Sequence, residues 1–182
     1  MKRNLLIIAA LLAILTMANL TANAQTPAST TSGNVPLKIT LVDIVAITLG
    51  GSPDVEFLYD TQAKYGADQV VNKPTAFTVF SNKTYNIAVK ANAAFNVVAT
   101  NLTPVPLDVV AVSVNALTPV TNGTYAAPAL STTNQALVTG GKPTLATVYN
   151  IDYTISAAKA QLLLDKTAGV YTTTLMYTLT QQ

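Results

Sequence analysis

The 182-residue chain has no cysteine, no histidine and no tryptophan, and its sole arginine is Arg3. Without cysteine there is no disulfide, no thiolate nucleophile and no residue to carry a lipoprotein's lipid. Without histidine the commonest general base is missing, the Ser-His-Asp triad is ruled out, and the usual zinc ligands are gone. Charged residues make up 10% of the chain and aromatics 7%. Threonine, asparagine, serine and glutamine must therefore solvate most of the surface. The formal net charge is +2, and Lys2 and Arg3 account for it; beyond them lysine balances the 8 acidic residues. A neutral chain without arginine lacks the basic footprint that nucleic acid requires, so no nucleic-acid partner is expected. The same balance gives little electrostatic pull to an anionic membrane surface and little repulsion between copies.

Lys2 and Arg3 are followed by an apolar run from Leu5 to Leu20, interrupted by Thr16 and Asn19, and then by Ala22-Asn23-Ala24. A basic start, an apolar stretch and a small-x-small site predict a signal peptide over 1–24, cleaved after Ala24. The rival, an uncleaved anchor, fits the well-formed cleavage pattern less well. Export to the cell surface or extracellular space is expected. Residues 25–34, rich in Thr, Ser, Pro and Ala, read as a flexible arm. Residues 35–182 are expected to fold as a β-sandwich domain.

The dominant signal is period-2 alternation. Val35, Leu37, Ile39 and Leu41 alternate, the phase slips at Val42-Asp43, and apolar residues resume at Ile44. This predicts one long bulged strand or two short ones. Val55, Phe57 and Tyr59 predict a short strand, and residues 60–72 a loop. Residues 75–81 and 85–90, around the turn Ser81-Asn82-Lys83-Thr84, predict a hairpin. Further strands are expected from Phe95, over 109–114, over 135–139 and over 145–155. Good helix formers over 157–164 predict a short helical turn. The chain ends on Gly169-Val-Tyr-Thr-Thr-Thr-Leu-Met-Tyr-Thr-Leu-Thr-Gln-Gln182, an alternating strand expected to be central, with Leu175, Tyr177 and Leu179 buried. About seven to ten short strands with Gly, Pro and Asn turns and no long helical period predict an all-β, single antiparallel sandwich of immunoglobulin-like or pilin-like kind.

Chemistry is scarce. Asp54, Glu56, Asp60 and Asp68 form the densest acidic set and are the calcium candidates, since a hard cation takes oxygen ligands. Their plain reading is solvated loop charge, because no ordered ligand spacing links them. Tyr65 and Tyr125 fall in expected loops and are the candidates for stacking on a glycan; ordinary loop packing is the competing reading. Gly50-Gly51 and Gly140-Gly141 read as turns, with no G-K-[ST] ending to make a phosphate loop. The sequons at Asn82, Asn101 and Asn122 mark surface positions.

The closing stretch Gly169-Val-Tyr171 to Leu175-Met-Tyr177-Thr-Leu179 resembles the last strand of WxL cell-surface domains, with Tyr177-Thr178-Leu179 standing where that family has Trp-x-Leu. It is also similar to the last strand of chaperone–usher pilins. Both resemblances imply a non-catalytic bacterial surface sandwich whose partners are copies of itself or other surface subunits, and neither assigns a functional residue. The pilin resemblance further implies a donated N-terminal strand: Val35–Leu41 has that alternation, whereas residues 25–34 are too polar. The expected function is therefore a non-enzymatic surface structural or adhesive protein, assembling through edge strands and using no cofactor. The alternative is a glycan-binding, lectin-like module. A small outer-membrane barrel ranks third, because several runs are too short to span and no aromatic girdles stand out.

Overall fold

A computed structural model describes residues 28–51, 53–97, 103–116, 118 and 123–182. The expected signal peptide and the sequons at Asn101 and Asn122 lie outside the described residues. The chain divides into two compact units, Met1–Thr40 and Leu41–Gln182. Of the first, residues 28–40 have no regular secondary structure, and Val35, Leu37 and Ile39 are exposed. The strand expected from Val35 is thus absent; the first strand is β1, Val45–Leu49.

The second unit is an antiparallel β-sandwich. One sheet (sheet A) holds β1, β2 (Gln69–Ser81), β8 (Thr144–Ile155) and β5 (Ala111–Val114), in the order β1-β2-β8-β5. The other (sheet B) holds β10 (Leu175–Gln181), β3 (Tyr85–Ala91), β7 (Gln135–Gly141) and β6 (Thr124–Tyr125), in the order β10-β3-β7-β6. A small ribbon pairs β4 (Asn96–Val97) with β9 (Tyr171–Thr172). Two single-turn α-helices and a 3-10 turn at Leu107–Val109 complete the fold of the described residues. The first, α1 (Gln62–Tyr65), lies in the stretch expected to be loop. The second, α2 (Ala157–Ala160), runs into a 3-10 turn over Gln161–Leu163, where the helical turn was expected. Ser156 caps α2 by accepting from the Lys159 N–H, a bond that satisfies one orphan donor of the first turn.

Alternation builds the core because a strand's side chains point to opposite faces in turn. In β3, Tyr85, Ile87, Val89 and Ala91 are buried while Asn86, Ala88 and Lys90 are half-exposed. Facing them are Phe77 and Val79 of β2 and Tyr149, Ile151, Tyr153 and Ile155 of β8. Gly141 makes room for this packing, since a Cβ there would stand 2.6 Å from the Tyr85 ring.

Further expectations are corrected. Val55, Phe57 and Tyr59 alternate but form no strand, since residues 53–60 have no regular secondary structure. The stretches around the Asn82 turn do not form a hairpin: β2 belongs to sheet A and β3 to sheet B. Their apolar faces look at each other across the core, so the turn is a corner between sheets. Strand β2 starts six residues earlier than the sequence suggests and carries Pro74 inside it. The ladder to β8 slips between Lys73 and Phe77, and Thr75 takes a left-handed φ of 53°. The Thr75 N–H, displaced from the ladder by this bulge, donates to Asn150 Oδ1 at 2.8 Å. Finally, β10 is an edge strand that pairs with β3 alone, and Leu175, Tyr177 and Leu179 are half-buried rather than buried.

Candidate functional site

Of the sequence-derived site residues, Asp60, Tyr65 and Asp68 lie around α1, whereas Tyr125 lies on β6 of sheet B. Asp60 pairs with Lys64 one helical turn away at 2.6 Å, and that hydrogen bond lowers its carboxyl pKa. Asp68 accepts from the Ala157 N–H at 2.7 Å, tying the loop to the start of α2. Asp54 and Glu56 are exposed on the extended segment before α1. Among the described residues no three His, Cys, Asp or Glu side chains gather to hold a metal ion. Tyr65 leans its ring on Tyr59, centroids 4.9 Å apart, and its carbonyl accepts from Gln161. The Tyr59 hydroxyl is buried without a partner among the described residues, and burial, then Tyr65 and Asp68, raise its pKa. Tyr125 is exposed on the two-residue β6. A shallow cavity of about 330 Å³ opens beside Phe80, Ser81, Asn82, Pro143, Thr144 and Leu145, and none of these side chains titrates.

The four sheet edges differ more tellingly. Strand β6 is two residues long. Strand β5 is covered, since Val112 donates to Pro128 and Leu130 donates to Val110. Strand β1 is five residues long. Strand β10 runs for seven residues without a charge or a proline, and its ladder to β3 has no slip. Natural proteins blunt such edges with charge, proline, bulges or cover, because a free edge templates pairing with another chain; β10 carries no charge, proline or bulge.

The register says which groups are on offer. Gln182 donates to Thr84 O, and Asn92 donates to Thr174 O. Even-numbered residues of β10 therefore bond inward to β3. The alternation of an antiparallel ladder turns the N–H and C=O of Leu175, Tyr177 and Leu179 toward the free side. Strand β1 lies against β10 at this side of the sandwich. The inward-parity residues Val45 and Leu49 of β1 remain exposed at 41% and 59%. The two edges thus flank an apolar seam covered by nothing in the described chain.

Polar side chains close one end of that seam. Gln181 Nε2, at the end of β10, donates to Ile44 O at 2.7 Å and also reaches Asn82 Oδ1 and Ser81 Oγ. Asn82 in turn accepts from the Ile44 N–H and donates to Val42 O. Lys83 pairs with Asp43 alongside. Neither Gln181 nor Asn82 stands out by spacing in the sequence; the one hint is that Asn82 is a turn residue. No protein-family model and no curated protein matches the chain.

Proposed function

We propose that this chain is a non-enzymatic bacterial protein, exported to the cell surface or beyond, that serves as a structural or adhesive subunit and assembles through its free edge strand. The observation that carries the reading is β10: seven uncharged residues, half-buried apolar side chains at every second position, and backbone groups turned outward with no proline or bulge among them. The exposed alternating segment from Val35 to Leu41 supplies a strand of matching pattern. Docked on the β10 of a second copy, its apolar side chains would cover the seam. The signal-peptide pattern, the neutral surface and the likeness of the closing strand to those of surface sandwiches support the same reading.

The test is solution assembly of the full chain, followed by light scattering and negative-stain microscopy over a concentration series. Leu179→Pro removes an outward N–H from β10 while sparing the bond to β3, a position where an edge strand tolerates proline. Leu179→Ala loses the same packing but keeps the N–H. Assembly by the wild type and by Leu179→Ala, but not by Leu179→Pro, is the expected pattern. A chain that stays strictly monomeric at high concentration would sink the reading.

A further inference from the structure

We propose that Gln181 and Asn82 form a polar clasp that fixes the β1 and β10 edges to each other at one end, making Gln181 the stop that limits how far a docked strand runs along β10. This rests on the reading of β10 as a docking edge. The chemistry of the corner supports it. Val42, Ile44 and Val45 are 62%, 49% and 41% exposed, so burial contributes little to holding this entry to β1 in place. Hydrogen bonds do the holding instead. The Asn82 side chain brackets the chain like a strand neighbour, taking the Ile44 N–H on its oxygen and giving its amide to Val42 O. Asn82 also donates its own N–H to Ile44 O. Gln181 supplies the link from sheet B, with its amide set among Ile44 O, Ser81 Oγ and Asn82 Oδ1 at 2.7, 3.1 and 3.0 Å.

The consequence is geometric. Leu175, Tyr177 and Leu179 turn their backbone groups to the open side, and at the end of that row the inward-facing Gln181 side chain ties β10 to Ile44 O at the entry to β1. An added strand finds its ladder open along Leu175–Leu179 and closed beyond. The amide, and not the size of the side chain, makes the closure: Gln181→Glu has the same shape but cannot donate to Ile44 O or Asn82 Oδ1.

Two measurements on the full chain test this. Amide hydrogen exchange reads the clasp itself. Gln181→Glu and Gln181→Ala should both speed exchange at Ile44 and Asn82 by roughly tenfold, leaving Ile87 and Ile151 in the core unchanged. Cross-linking reads the stop, and the absence of native cysteine makes every disulfide an introduced one. A Lys38→Cys chain is mixed with a second chain carrying a single cysteine at Met176, Thr178 or Thr180. With Gln181 present, cross-links should form at Met176 and Thr178; with Gln181→Glu they should extend to Thr180. Unchanged exchange at Ile44 and Asn82 overturns the clasp. Faster exchange with an unchanged cross-link pattern overturns the stop. Cross-links absent from every mixture would instead remove the docking reading, while the exchange data still decide whether Gln181 holds the corner.

Discussion

The phenol oxygens of Tyr85 and Tyr149 meet 2.8 Å apart in the middle of the sandwich, one from each sheet. A second pair repeats the arrangement: Tyr153 of sheet A and Tyr177 of sheet B share a hydrogen bond of 2.6 Å. Phe77 lies against both Tyr149 and Tyr177, with centroids 5.1 and 4.8 Å away. In a domain without disulfides, these hydroxyl pairs are directional links between the two sheets inside a core that otherwise holds by apolar burial. Tyr149 and Tyr85 are 0% and 1% exposed, so among the described residues each hydroxyl has the other to replace water.

The first prediction follows from that mutual dependence. Tyr85→Phe or Tyr149→Phe alone strands a buried hydroxyl and should cost about 1–3 kcal/mol in chemical denaturation. The double variant removes both hydroxyls and should cost clearly less than the sum of the two. Additive losses would show that the two hydroxyls are not each other's main partner.

The second concerns alkaline pH. Burial raises the pKa of Tyr149, Tyr153 and Tyr177 above the ordinary 10.0; the bond to Tyr85 pushes Tyr149 further up, and the neighbouring Tyr153 does the same for Tyr177. The folded state thus holds these protons where the unfolded chain would release them. Their contribution to stability is complete below about pH 10 and falls as pH rises above it. The denaturation midpoint should be independent of these groups below pH 10 and decline beyond. Tyrosinate absorbance should then rise in two stages, exposed phenols first and core phenols only with unfolding. A single stage near pH 10 with unchanged stability would contradict this.

Much of the sandwich was legible because alternation reports directly on burial. The alternation of Tyr85, Ile87 and Val89 and of Tyr149, Ile151, Tyr153 and Ile155 marks the side chains that the fold buries. Alternation says which way a side chain points, however, and not which strand lies beside it. That is why the stretches flanking Asn82 look like a hairpin in sequence and sit in opposite sheets in the fold. It is also why β10 looks central and is an edge. Val35 to Leu41 shows the limit from the other side, with a strand's pattern and no strand partner within the described chain. The clasp was invisible for a different reason: Gln181 and Ile44 are brought together by a fold that closes 137 residues of separation, and no local spacing encodes that contact.

The third prediction tests the bulge in β2. Gly50 donates to Ala76 O at 2.9 Å, and a Cβ on Gly50 would overlap the Thr75 carbonyl oxygen. Thr75 already holds a left-handed φ of 53°, costly for a β-branched residue. Its backbone therefore has little freedom to retreat. Gly50→Ala should destabilise the protein by about 1–3 kcal/mol. Gly51→Ala, whose Cβ would meet nothing within 4 Å, should stay within about 0.5 kcal/mol of wild type. Equal effects at the two positions would mean that the approach of Gly50 to Thr75 is not a constraint on the fold.

The last prediction separates the two roles of the terminal strand. Removing Tyr171–Gln182 strips β3 of its neighbour on one side, and Ile87 and Val89, both 0% exposed, lose their cover there. It also takes away Tyr177, leaving Tyr153 without its hydroxyl partner and Phe77 without one of its two ring contacts. Those losses fall on the core, and the truncated chain should not be recovered as soluble folded protein. Removing only Gln181 and Gln182 takes away the clasp and the bond from Gln182 to Thr84, but no buried apolar side chain. That shorter chain should fold, keep the near-ultraviolet signature of its packed tyrosines, and lose exchange protection mainly at Ile44 and Asn82. If the longer deletion also folds and stays soluble, β10 is an ornament on a core that closes without it. The half-burial of Leu175, Tyr177 and Leu179 argues against that outcome: these side chains are too covered to be idle and too exposed to be finished.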